Sequence, residues 1–220
     1  MAVNIDTVYQ KVLAFANKEQ RGYITPQEFN LFADQAQKEI FEQYFYDLNQ
    51  FTRAPGSSGE YSDIIDNINE KTAIFEKTGL GNTLAADLYR LGTVSFGGVE
   101  IEEVQPNELM YMNNSAISKP SNTRRVYVRD TGNTISVYPS VTNADYTYLK
   151  LPVKPSWGYV VIGTKALYEE GVSINFELHA AEESELVYKI LKFAGLAMQR
   201  ADIMKGGQGL ESLQVQQEKQ

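Results

Sequence analysis

The chain has 220 residues, 43% of them hydrophobic, no Cys, one His and a net charge of −8. That length carries one substantial core, or one domain with a subdomain inserted in it. Disulfides, zinc-thiolate sites and thiol nucleophiles are excluded, as is any site that needs two imidazoles, and the acidic balance argues against broad binding to a nucleic acid backbone.

The first residues lack a basic-then-apolar signal and no apolar run approaches membrane-spanning length, so the expectation is a soluble protein made in a cytoplasm. Ile5, Val8, Tyr9, Val12 and Leu13 recur at helical spacing and predict a helix over about 4–18. The stretch that follows, Asn17-Lys18-Glu19-Gln20-Arg21-Gly22-Tyr23-Ile24-Thr25-Pro26-Gln27-Glu28-Phe29, reads in two ways. As a twelve-residue calcium loop of the EF-hand type it would place Gly22 at position 6 and Glu28 at position 12. Its first half opposes that reading: Asn17 is neutral, Glu19 is longer than the usual Asp or Asn, and Arg21 aims a permanent cation at the ion. As a helix corner the same residues all have work. Thr25 and Glu28 form a capping box, Pro26 sits at N1, Ile24 and Phe29 make a hydrophobic staple, and Gly22 ends the preceding helix. The corner is the preferred reading, and no metal or cofactor is expected.

Helix two is predicted from Pro26 to about Asn49, with Phe29, Phe32, Ala33, Ala36, Ile40, Phe41, Tyr44, Phe45 and Leu48 as a wide apolar stripe. Arg53 to Gly59 is a breaker-rich loop, and helix three spans about 60–71 with Tyr61, Ile64, Ile65 and Ile68 on one face. Ile74 and Phe75 are expected to form a short strand. Beyond Gly79 the turn signals come every ten or so residues and the apolar pattern shortens toward alternation. Leu84 to Leu91 reads as a strand. Hairpins are predicted around Gly97-Gly98 and around Asp130-Thr131-Gly132-Asn133. A short helix begins at Pro106; further strands are expected at Tyr146–Leu151, Val160–Ile162 and Ile174–Leu178. Helix returns from Ala180 to about Met198, with Leu186, Val187, Ile190, Leu191, Phe193, Ala194 and Leu196 as its apolar set. Its acids Glu182, Glu183 and Glu185 lie early and its bases Lys189, Lys192 and Arg200 late, as the helix dipole favours. Lys205 to Gly209 breaks the chain, and a polar, Gln-rich tail of weak helical potential follows.

The expected fold class is α+β: a helical bundle formed by the N- and C-terminal segments, with an inserted antiparallel β domain and an extended C-terminal tail. The boundaries read 1–78 for the N-terminal bundle, 79–179 for the β-rich insertion, 180–204 for the C-terminal bundle helix and 205–220 for a flexible tail.

Catalytic constellations are missing from the sequence. There is no phosphate-binding or dinucleotide-binding glycine loop and no nucleophile elbow, so an enzyme is not expected. Alternation places Glu100 and Glu102 on a solvated strand face, away from Ile101 and Glu103. Arg124, Arg125 and Arg129 are the candidates for touching phosphate, against the plainer reading as surface charge. Trp157 is expected to pack beneath a loop. His179 is a polar residue at a strand–helix junction, or else a pH switch.

Val8-Tyr9-Gln10-Lys11-Val12-Leu13 and the run from Asn17 to Asn30 resemble structural proteins of tailed bacteriophages, particularly crAss-like phages. Leu88-Tyr89-Arg90-Leu91-Gly92 and the run from Phe176 through His179, Glu182 and Ser184 to Val187 look like the same family, so the resembling runs are spread along most of the chain. The layout is similar to head–tail connector or adaptor proteins. The resemblance implies a virion protein that forms a dodecameric ring beneath the portal protein, extends the DNA channel and anchors the tail. Its partners would be its own copies, the portal, other ring or tail proteins, and DNA passing without sequence-specific binding, with no membrane contact. It also implies that the C-terminal tail docks on the portal, through Gly206, Gly207, Leu210, Leu213 and Val215. The alternatives are another minor virion or tail-attachment protein, or an EF-hand-like calcium module.

Overall fold

In the computed structural model, residues 2–17, 24–53, 59–197, 208–214 and 216 are described. The protein is mixed α and β. By contacts it divides into two compact units, one of residues 1–74 with 152–220 and the other of residues 75–151.

The first unit holds the long helices. α1 (Ile5–Asn17) is capped by Asn4, whose side chain accepts from the amides of Asp6 at 2.9 Å and Thr7 at 3.1 Å. That satisfies donors that the first turn leaves without an intrahelical partner. It buries Ile5, Val8, Tyr9 and Val12, the stripe read from its spacing. α2 (Pro26–Arg53) buries Phe29, Ala33, Ala36, Ile40, Phe41 and Tyr44, so its interior face follows the predicted period. α3 (Gly59–Ala73) buries Ile68; the side chains of Tyr61, Ile64 and Ile65 are outside the described set, as is that of Leu48 on α2. α5 (Glu183–Ala197) follows a 3-10 turn at Ala180–Glu182 and buries Leu186, Val187, Ile190, Leu191 and Ala194. Leu196, counted with that stripe from its spacing, is exposed instead. α5 packs on α1 and α2, and α3 packs on α2.

Short strands complete this unit. β1 (Ala2–Val3) pairs antiparallel with β10 (Phe176–His179). β8 (Tyr159–Ile162) and β9 (Lys165–Tyr168) form a hairpin that turns at Gly163 and Thr164. Residues 152–179, grouped with the β-rich region by sequence pattern, thus belong by contact to the helical unit.

The second unit is a curled six-stranded sheet in the order β2-β7-β3-β4-β5-β6. Its strands are β2 (Glu76–Leu80), β3 (Leu88–Phe96), β4 (Val99–Glu103), β5 (Val126–Asp130), β6 (Thr134–Tyr138) and β7 (Asp145–Lys150). Both predicted hairpins form. Gly97 and Gly98 have φ of 60° and 80° between Phe96 and Val99, the two left-handed residues that a tight hairpin turn requires. The structure differs from the sequence reading in three places. Ile74 and Phe75 lie in a turn, and the strand begins at Glu76. Leu84 to Asp87 is not strand: Leu84 N donates to the Asn133 carbonyl at 2.8 Å and Ile135 N to the Asn82 carbonyl at 2.8 Å. Those bonds tie the chain after β2 to β6, the opposite edge of the sheet, and so curl the sheet toward closure. The sheet is also not wholly antiparallel, because β4 and β5 run parallel. The connection between them contains α4 (Pro106–Asn114), and a crossover of that kind is what parallel neighbours need.

The inner face of the sheet holds Leu84, Val94, Ile101, Tyr127, Ile135, Val137, Ala144 and Tyr146. On the outer face Val126 and Val128 meet Val104 and Leu109, with Leu109 supplied by α4. β5 is therefore covered on both faces over Val126–Val128, which explains a strand that does not alternate in burial.

Candidate interaction surfaces

The corner before α2 takes the form predicted for a cap. Glu28 N donates to Thr25 Oγ1 at 3.3 Å, and Glu28 Oε2 accepts from Thr25 N at 2.9 Å and Thr25 Oγ1 at 2.7 Å. Both arms of the capping box are present. The backbone bond from Thr25, then its hydroxyl, holds the Glu28 carboxyl below its ordinary range. Ile24 and Phe29 are both buried, as a staple requires. Glu28, the residue that a calcium loop would use at position 12, is thus engaged by the helix start. Residues 18–23, including Arg21 and Gly22, lie outside the described residues. Among the described residues, no group of three or more His, Cys, Asp or Glu side chains is placed to hold a metal ion.

Trp157 is buried at the base of the β8–β9 hairpin. Its ring lies 4.3 Å from that of Tyr9 and 5.8 Å from those of Tyr159 and Tyr168. Its Nε1 donates to Asp6 at 2.9 Å, and its backbone amide donates to Asn30 Oδ1 at 2.7 Å. These contacts fix the hairpin to α1 and α2. Beyond that anchor Val160, Val161, Ile162 and Leu167 are exposed, and among the described residues no third strand joins the pair. Exposed β-branched residues on open strand edges are surfaces that proteins usually cover.

The arginines do not converge. Arg124 faces Glu102 at 3.6 Å, with both side chains largely exposed. Arg125 lies over the Phe96 ring at 4.7 Å and donates from Nη1 to the Asn122 carbonyl at 2.7 Å. Arg129 shares the strand face of Arg125, but four residues of strand separate them by about 13 Å. It borders a shallow cleft of about 350 Å³ with Glu103, Gln105 and Asp130. The carboxylates around it make that cleft a poor seat for phosphate. Beside it Tyr127 donates to Glu103 at 3.1 Å; burial, then the Glu103 charge, pushes the phenol up to about 12. Glu103 shares the face of Ile101, while Glu102 points to the other, as alternation predicted.

His179 closes β10, where its Nδ1 accepts from Ala181 N at 3.3 Å and caps the 3-10 turn. Next to it Glu182, 1% exposed, is paired with Lys71 of α3 at 2.6 Å.

Of the residues read as a docking tail, Gly206, Gly207 and Val215 lie outside the described set. Residues 208–214 are helical, with Leu210 38% and Leu213 57% exposed. Glu211 between them faces α5. It pairs with Lys189 Nζ at 2.7 Å and Lys192 Nζ at 3.0 Å, and Lys189 also lies 3.4 Å from Glu185. Burial alone would raise the Glu211 carboxyl, but hydrogen bonds from Lys189 and Lys192 outweigh it and hold the group below its ordinary value. Burial would likewise lower the Lys189 ammonium; the Glu211 bond and the Glu185 charge keep it raised instead. Sequence reasoning missed this cluster. Its signal was the i, i+4 spacing of Glu185 and Lys189 and the i, i+3 spacing of Lys189 and Lys192 on one helix face.

Compared with known proteins, the chain matches no family model and no curated protein.

Proposed function

We propose that this chain is a structural protein of a tailed phage virion, forming a ring at the portal that extends the DNA channel and anchors the tail. Its architecture on this reading is a helical bundle built from both ends of the chain, with a mainly antiparallel β domain inserted and a C-terminal docking tail. The observation that carries the proposal is the β8–β9 hairpin: a rigid, Trp-anchored base from which uncovered Val160, Val161, Ile162 and Leu167 project. A ring subunit needs such surfaces, because each copy makes unlike contacts on its two sides and the rotation must close. The resemblance of Val8–Leu13, Asn17–Asn30, Leu88–Gly92 and Phe176–Val187 to phage structural proteins supports the same reading. So does the net charge of −8, since an acidic lumen lets DNA pass without sticking.

Native mass measurement of the purified protein, alone and with the portal protein, tests the proposal. A closed ring near a dodecamer is expected. A species that stays monomeric in both conditions overturns it, and a small open oligomer favours a minor tail-attachment protein.

A further inference from the structure

Residues 208–214 of the C-terminal segment are helical and lie against α5. Ion pairs from α5 hold the segment there. Lys189 is 4% exposed; Glu211 pairs with it from outside α5, and Glu39 of α2 adds its charge. Lys192 completes the seat from the next turn. At 3.6 residues per turn, Leu210 and Leu213 lie about 60° apart, while Glu211 lies about 100° and 160° from them. Seating Glu211 therefore turns Leu213 away from α5 and leaves Leu210 to the side, in keeping with their exposure.

The seat also limits reach. Lys189 lies about 12 Å back along α5 from Ala197, where the helix ends, so the docked segment doubles back on its own helix. A fully extended stretch of the length of 198–207 spans up to about 33 Å. Freed from α5, the segment would sample a far larger radius.

We propose that Lys189 and Lys192 form a cis lock: they hold residues 208–214 on α5 through Glu211 in the free chain, and the lock opens before the segment docks on another protein. This rests on the reading of the segment as a docking element. The partner must outcompete two charge-assisted contacts, so subunits that have not met their neighbour keep the segment withdrawn.

Two variants test the lock. Glu211→Gln removes the charge and keeps the shape. Amide hydrogen exchange across 208–214 is expected to quicken roughly tenfold in this variant, while α5 is unchanged; a tenfold change corresponds to about 1.4 kcal/mol. Equal exchange in the native and E211Q chains overturns the lock, whatever the protein's role. The second variant, Lys192→Cys with Glu211→Cys, exploits a chain that has no Cys of its own. Joined by a short bis-maleimide, the locked chain is expected not to enter assembled phage particles, while the same variant without the linker enters. Equal entry overturns the lock as a gate and leaves the virion role standing. Absence of the native chain itself from particles contradicts the virion role, and hydrogen exchange still decides the lock.

Discussion

Thr25 and Glu28 turn a local sequence pattern into a fixed corner. Thr25→Ala removes both the acceptor for Glu28 N and a donor to its carboxylate, and is expected to cost about 1 kcal/mol in urea unfolding. The sign with pH follows from the lowered Glu28 carboxyl. Its contribution is full above the unfolded-state value, near 4.3 for a model Glu, and fades as pH falls through the lower folded value. The gap between the native and T25A chains should narrow on acidification without closing, because Ala keeps the backbone bond to Glu28 and the lost Glu28 N bond does not titrate. The Glu211 seat has two edges. Glu211, lowered on folding, stops contributing as pH falls through its folded value; Lys189, raised on folding, contributes fully below the unfolded-state value near 10.4 and fades as pH rises through its higher folded value. Lys71 and Glu182 make a sterner test. Glu182 is buried, so Lys71→Met leaves its carboxylate facing an apolar group and should destabilise by about 3–5 kcal/mol, whereas an exposed pair would give under about 1. A loss below about 1 kcal/mol would show that solvent or another group neutralises Glu182. The cap was legible because all its members lie within a few residues. The Lys71–Glu182 and Lys189–Glu211 pairs were not, because their partners meet only after the helices pack.

Among the elements, periodicity and turn chemistry carried the reading furthest. α2 and α5 follow their apolar stripes because one face of each is buried along most of its length. The hairpin at Gly97-Gly98 was legible because only residues at ease with positive φ fit that turn. Gly98→Val forces a β-branched residue to φ of 80° and should cost about 1–3 kcal/mol, read as a lowered thermal midpoint. An unchanged midpoint would mean that the turn relaxes to another type. Elements set by distant partners were read less well. Ala85 and Ala86 gave no sign that their neighbours would close the sheet against Asn133 and Ile135. The parallel β4–β5 pair depends on the path of α4, which no local pattern encodes. β9, Lys165-Ala166-Leu167-Tyr168, escaped notice because its composition is mixed, although Gly163 just after a β-branched run marked a turn. β1 is two residues long and exists only as a partner for β10.

At the scale of the molecule, a fold without cysteine stands on packing, and its exposed apolar residues become the guide to what it meets. Trp157 joins α1, α2 and the β8–β9 hairpin within one unit, so the uncovered strands project from a fixed base. Replacing Val161 and Ile162 together with Thr keeps β-propensity, removes apolar surface, and should leave the monomer's unfolding midpoint within about 0.5 kcal/mol of the native value while weakening self-association. Removing residues 206–220 should stop assembly onto the portal; unchanged assembly would free the tail from any docking role. The expectation of a dodecameric ring came from a resemblance of residues, because ring order depends on angles between copies that no single chain encodes. The central claim is tested most directly by electron microscopy of assembled particles that carry a labelled copy of this chain. The label is predicted at a single vertex, where head meets tail. Its absence from particles, or its distribution over the whole capsid, would contradict the account.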